Sequence, residues 1–180
     1  MKKIICSALL ISGMVTGTYA QKFFTNKGTT QFYSSTPVED IKATNKQTSA
    51  LLNTDDKSLV CVMENTKFIF PKSLMQEHFN ENYMESTKYP KSTFTGTYDQ
   101  KIDASVNGKY NVTVSGKLSI HGVLKSVSMP ATIEVKNGQI IGHCVFKVKT
   151  KDYNIKIPTL VVAKVAEDIQ VTIDFIATKM

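Results

Sequence analysis

The sequence predicts an all-β domain, on three observations. From Tyr110 to Ile120 the residues alternate: Tyr110, Val112, Val114, Leu118 and Ile120 fall on one side, Asn111, Thr113, Ser115, Lys117 and Ser119 on the other. That period requires a sheet with one dry and one wet face. Asn107-Gly108 and Asn137-Gly138 are two-residue hairpin signals, because a type I′ turn takes positive φ at both central positions. No strand–helix–strand spacing recurs along the chain, which argues against a parallel sheet. Periodicity does not choose between a barrel and a sandwich, since either buries one face of every strand.

The chain has 180 residues, 42% of them hydrophobic, enough for one domain with its own core. Residues 1–20 stand apart from it. Lys2 and Lys3 form a positive start, Ile4 to Val15 is apolar, and Thr18-Tyr19-Ala20 ends in the small residue that a signal peptidase accepts,. The expectation is a signal peptide over 1–20, cleavage between Ala20 and Gln21, a single domain over 21–180, and a periplasmic or secreted protein. The apolar stretch is too short to span a bilayer. Cys6 lies ahead of most of it, the wrong order for a lipoprotein cysteine,.

The strands follow in order. Thr29–Tyr33 is the first, closed by Ser34-Ser35-Thr36-Pro37; Val38–Ala43 and Thr48–Leu52 read either as one second strand or as a second and a third, and Asn53-Thr54-Asp55-Asp56 as a tight turn,. Leu59–Asn65 leads into Phe68-Ile69-Phe70. A short helix then interrupts, near residues 72–84. Pro71 precedes it, Ser73 is its expected N-cap with Gln76 at capping-box spacing, and Leu74, Met75, His78, Phe79 and Asn82 share a face,. At this length the helix is marginal in water and must pack on something larger. Lys88-Tyr89-Pro90 ends the insertion, because the residue before a proline leaves the α region,. Thr93–Ile102 is the next strand, with Phe94, Gly96 and Tyr98 on one face,. Alternation resumes at Val127, Met129, Ala131, Ile133 and Val135, again at Ile140, Cys144, Phe146 and Val148, and last at Ile169, Val171, Ile173 and Phe175.

Four words of the chain carry a resemblance. LMQEHFNENYMES, KYPKSTFTG, VTVSGKLSIHGV and DYNIKIP, in that order, are similar to the YceI-like family of bacterial extracytoplasmic proteins, and the similarity runs from about Thr29 to Phe175. The resemblance implies a lipocalin-like antiparallel β-barrel, here of about eight strands with the short helix inserted, whose interior holds a long apolar ligand. In some relatives that ligand is a polyisoprenoid or a quinone with an isoprenoid tail. No shared catalytic mechanism is implied.

A barrel of about eight strands holds either a packed core or one small ligand, and the residues alone leave both readings open. The inward faces are apolar, so a ligand there would be an apolar lipid, gaining on the order of 0.8 kcal/mol per methylene taken out of water. The expected tunnel residues are Phe79, Phe94, Tyr98, Tyr110, Val112, Val114, Leu118, Phe146 and Phe175, with His78 and Asn82 as contacts for a polar head. DYNIKIP, ending in Pro158, reads as a further mouth element, since proline does not continue a central strand. The alternative is a secreted, stress-related interaction barrel with a filled core.

The remaining chemistry is sparse. His78, His121 and His143 fall in no metal-binding frame,. No G-x-S-x-G elbow is present, and Ser115 and Ser119 sit in a regular strand. Cys61 and Cys144 lie in apolar segments and read as two buried thiols in preference to a disulfide, a pairing that the sequence leaves open. We therefore expect no catalytic residue, no metal and no cofactor beyond a bound lipid such as an isoprenoid quinone. All 22 basic residues are lysine, spread without a basic run, which argues against nucleic acid. A transient contact with anionic lipid head groups is compatible with that surface. Nothing selects an oligomeric state, and a dimer is among those allowed.

Overall fold

Alternation along each strand leaves two faces, and the strands bury the apolar one by curling it inward until the sheet closes. The computed structural model describes residues 21–180, and the signal-peptide reading of residues 1–20 lies outside them. Among the described residues, eight antiparallel strands form a closed barrel in chain order. They are β1 (Lys22–Ser35), β2 (Asp40–Asn53), β3 (Ser58–Glu64), β4 (Lys91–Tyr98), β5 (Gly108–Ile120), β6 (Val123–Lys136), β7 (Gln139–Lys149) and β8 (Asp168–Lys179). β8 returns to pair with β1, Thr30 opposite Ile173 and Phe32 opposite Val171. Closure removes every sheet edge.

One open reading is decided and two expectations are corrected. Asp40–Ala43 and Thr48–Leu52 belong to one strand, β2, with Val38 and Glu39 in the turn before it. The polar residues between them stay in the sheet because Asn45 ties them there, donating from Nδ2 to the Glu64 carbonyl at 2.9 Å and accepting the Gln47 N–H at 2.7 Å. The register against β1 shifts on both sides of Gly28, a bulge that lets these long strands bend round the barrel,. Asn107-Gly108 is not a hairpin turn, since Gly108 already begins β5 and the Asn107 side chain instead accepts the Asn137 N–H at 2.9 Å. The strand expected over Thr93–Ile102 ends at Tyr98, and Ile102 is buried in the connection that follows. The tight turns are Asn137-Gly138 and His121-Gly122, each with both residues at positive φ. Their backbone twist matches that of the strands they join.

The helix is α1 (Ser73–His78), running directly into a π-helical turn over Phe79–Tyr83. Its N-cap is Lys72 and not Ser73, with no side-chain cap bond. Gln76 does not complete a capping box either, because its Oε1 accepts the Phe70 N–H at 3.2 Å and so anchors the helix to the preceding segment.

The core divides by height. Antiparallel order places Phe23, Leu52, Leu59, Tyr98, Ile140 and Ala177 at one end of the barrel, all buried. The long connections, 65–90 with the helix and 150–167, both leave from the opposite end.

Candidate functional site: an apolar cavity open at one end

At the helix end the interior is not filled. A cavity of about 430 Å³ lies there, within the range of small-molecule sites. The strands contribute Phe32, Ile41, Met63, Leu118, Phe146 and Ile173 to its wall. The helical insertion adds Phe68, Phe70, Met75 and Phe79, and the 150–167 connection adds Ile155, Ile157, Val161 and Val165. Tyr153, Ile155 and Ile157 place the DYNIKIP word at this mouth.

Why the insertion seats as it does is visible in four rings. Phe79 lies against Phe32, Phe68 and Phe70 with centroids 5.4, 5.6 and 5.1 Å apart, and Phe32 also meets Phe68 and Phe70 at 5.5 Å. Such edge and offset contacts add to the area buried. They let a helix with no fully buried residue hold its place.

The buried polar residues of the wall are already engaged within the protein. Thr30 and Thr48 share a hydroxyl–hydroxyl bond of 2.7 Å, Ser34 Oγ accepts the Ala166 N–H at 2.8 Å, and Ser92 donates to Asn65 Oδ1 at 2.9 Å. Among the described residues, no buried side-chain nitrogen or oxygen is without a partner. A wall with its polar groups already satisfied discriminates by shape and apolar area. Charge is confined to the rim: Lys72 pairs with Glu39 at 3.2 Å, and Lys149 with Asp168 at 3.3 Å. Asp168, then Glu167, holds the Lys149 ammonium above its usual pKa.

Of the expected tunnel residues, Phe79, Leu118 and Phe146 line the cavity. Phe94, Tyr98, Val112, Val114 and Phe175 are buried but lie outside its lining, and Tyr110 is half-buried outside it too. Their inward orientation follows from alternation, but the barrel is packed solid at their height. His78 lines the mouth, whereas Asn82 is exposed and lies outside the lining. Sequence reasoning missed Phe32, Ile41, Phe68, Phe70, Val161 and Val165 as wall residues. Phe68 and Phe70 carried a signal, an alternating aromatic pair just before the helix; the 159–165 segment carried none beyond being apolar.

The other chemistry-bearing side chains are engaged elsewhere. Cys61 and Cys144 are free thiols, the first buried and the second half-buried. Burial, and then the neighbouring Cys144, pushes Cys61 up to about 12; burial pushes Cys144 up to about 11. His143 pairs with Asp174 on the outer surface at 2.6 Å. Among the described residues no three His, Cys, Asp or Glu side chains gather at metal-binding distance.

A closed, eight-stranded antiparallel barrel with a one-ended apolar cavity is a lipocalin-like binding architecture. A model of the YceI-like domain matches residues 11–177, and the chain belongs to that family. Three solved structures share the fold. A polyisoprenoid binding domain from Saccharophagus degradans, implicated in plant cell wall breakdown, is 15% identical with a TM-score of 0.76, over 90% of this chain and all of that one. Burkholderia cenocepacia BcnA is 20% identical with a TM-score of 0.71, over 84% of this chain and 97% of its own. A Campylobacter jejuni YceI protein is 19% identical with a TM-score of 0.57, over 100% and 99%. No curated protein matches the chain.

Proposed function

We propose that this protein is an exported, non-enzymatic carrier or sequestering protein that holds the apolar tail of a lipid, such as a polyisoprenoid or an isoprenoid quinone, inside its barrel. The observation that carries the reading is the cavity: about 430 Å³, open at one end, walled mainly by aromatic and aliphatic side chains, with its buried polar side chains already hydrogen-bonded within the protein. A tail entering such a site gains from every methylene taken out of water and needs no specific hydrogen bond. The Saccharophagus degradans domain, described as polyisoprenoid binding, supports the same class of ligand. In this reading the head group stays at the rim, near His78 and Lys72, which both border the opening.

The test is native mass spectrometry of mature protein purified gently from its host's cell envelope, followed by organic extraction. One apolar species per chain, its polypeptide beginning at Gln21, supports both carriage and export. Bare polypeptide that takes up neither isoprenoid quinone nor fatty acid overturns the carrier and leaves a filled interaction barrel as the better account.

A further inference from the structure

The cavity stops halfway down the barrel, and two side chains stop it. On β4 the wall residue nearest the closed end is Ser92, and the next inward position is Phe94; on β8 it is Ile173, and the next is Phe175. Small residues border both: Cys61 is opposite Phe94 on β3, Gly142 is opposite Phe175 on β7, and Gly28 and Gly116 lie against Phe175 and Phe94, while Leu118 is opposite Phe94 on β5. The four small residues leave room there for the two rings beside Leu118.

Glycines set how the rings lie. A Cβ on Gly96 or Gly116 would stand 2.7 or 2.9 Å from Phe94 Cζ, and one on Gly142 would stand 2.3 Å from Phe175 Cζ. Each ring therefore rests against bare backbone. A side chain at Gly142 would displace the Phe175 ring, and with Ile140 and Ala177 fully buried toward the closed end, the free space lies on the cavity side. At Gly96 and Gly116 a Cβ would also strike backbone oxygens, of Ser115 and Thr95. At Gly142 the three nearest atoms all belong to the Phe175 ring, so that position is open to a clean test.

We propose that Phe94 and Phe175 are the floor of the site and set the length of tail it accepts. This rests on the carrier reading and deepens it. A methylene takes up roughly the 30 Å³ that a water molecule occupies in the liquid. A cavity of about 430 Å³ then encloses a tail of about fourteen carbons, a fatty-acyl chain or about three isoprene units. The remainder of a longer polyisoprenoid stays outside the mouth.

The experiment is a binding series with straight-chain fatty acids from about ten to about twenty-two carbons, repeated with prenyl alcohols of increasing length. Wild-type affinity should rise by about fourfold per methylene, the fold-change equivalent to ~0.8 kcal/mol, and level off near fourteen carbons. Phe94→Ala and Phe175→Ala should move the plateau to longer chains by a few carbons, with Phe94→Leu and Phe175→Leu as milder versions that preserve the packed core. Gly142→Ala should move it to shorter chains. Uptake with the same plateau in wild type and all variants overturns the floor while leaving the carrier intact. No uptake of any chain by wild type overturns both.

Discussion

His121 Nε2 lies 2.7 Å from Glu85 Oε2, and this bond ties the helical insertion to the barrel rim. The other ring nitrogen, Nδ1, is 3.0 Å from the Tyr153 carbonyl oxygen. A carbonyl can only accept, so Nδ1 donates to it, and Nε2 faces the carboxylate. One side chain in the β5–β6 turn thus holds the ends of both long connections that frame the cavity. Tyr89 packs edge-on against the imidazole with centroids 4.6 Å apart.

Removing this clasp should loosen the mouth more than the barrel. The His121 side chain is 10% exposed and Glu85 is 44% exposed, so solvent screens part of the interaction. We expect Glu85→Ala to cost about 1 kcal/mol in urea unfolding. Glu85→Gln should cost less, because its side-chain amide can still hydrogen-bond to Nε2. Amide hydrogen exchange should speed up in 79–90 and 150–156 and stay unchanged in the paired strands. Uniform acceleration would show that the clasp is not local.

Asn65 should be the most sensitive polar residue of the insertion. It is fully buried; its Nδ2 donates to the Tyr89 carbonyl at 2.6 Å, its Oδ1 accepts from Ser92, and its N–H reaches the Pro90 carbonyl at 2.8 Å. Asn65→Ala leaves two buried polar groups unpaired, which we expect to cost about 2–4 kcal/mol. Asn65→Asp should be no better, since a carboxylate oxygen would then face the Tyr89 carbonyl. Thermal melts of the two variants check both statements, and a change below about 0.5 kcal/mol would refute them.

Stability should decline in alkali. Cys61 is raised from 9.0 to about 12 by burial first and Cys144 second, and burial raises Cys144 to about 11. Burial, then Asp56 and Asp55, also raises the Tyr98 hydroxyl above its ordinary 10.0. The folded protein keeps protons that the unfolded chain releases, so this stability is complete below about pH 9 and falls as pH climbs toward 12. The slope is about 1.4 kcal/mol per pH unit for each group. Urea titrations between about pH 8 and 11 should show the decline, and replacing both cysteines with alanine should flatten its early part.

The same burial should protect the thiols. At pH 8 the Cys61 thiolate fraction is about one in ten thousand. A thiol reagent should therefore label Cys144 first and Cys61 only at the rate of unfolding. Prompt labelling of both in native buffer would contradict their placement.

Much of this molecule was written in its alternation. The inward residues of β4 to β8 are those that period 2 selects, from Phe94 and Tyr98 through Val127 and Cys144 to Phe175, because a strand has only two faces. Asn137-Gly138 formed the turn its residue types demand. His121-Gly122 formed the same turn with a less obvious first residue, since histidine tolerates positive φ better than most side chains. The helix was legible as a helix, but its cap was not: Gln76 is drawn to Phe70, a contact that depends on where the preceding segment runs.

The sequence by itself determined which side chains face inward and that the face they share is apolar. Tertiary structure decided which of those residues border empty space. Phe94 and Phe146 are indistinguishable as inward aromatics, yet one rests on Gly96 and Gly116 as floor while the other lines the wall, because register brings glycines beneath the first and not the second. Local periodicity sets direction. Height along a barrel comes from pairing between strands far apart in the chain, and so the depth of the cavity had to wait for the fold.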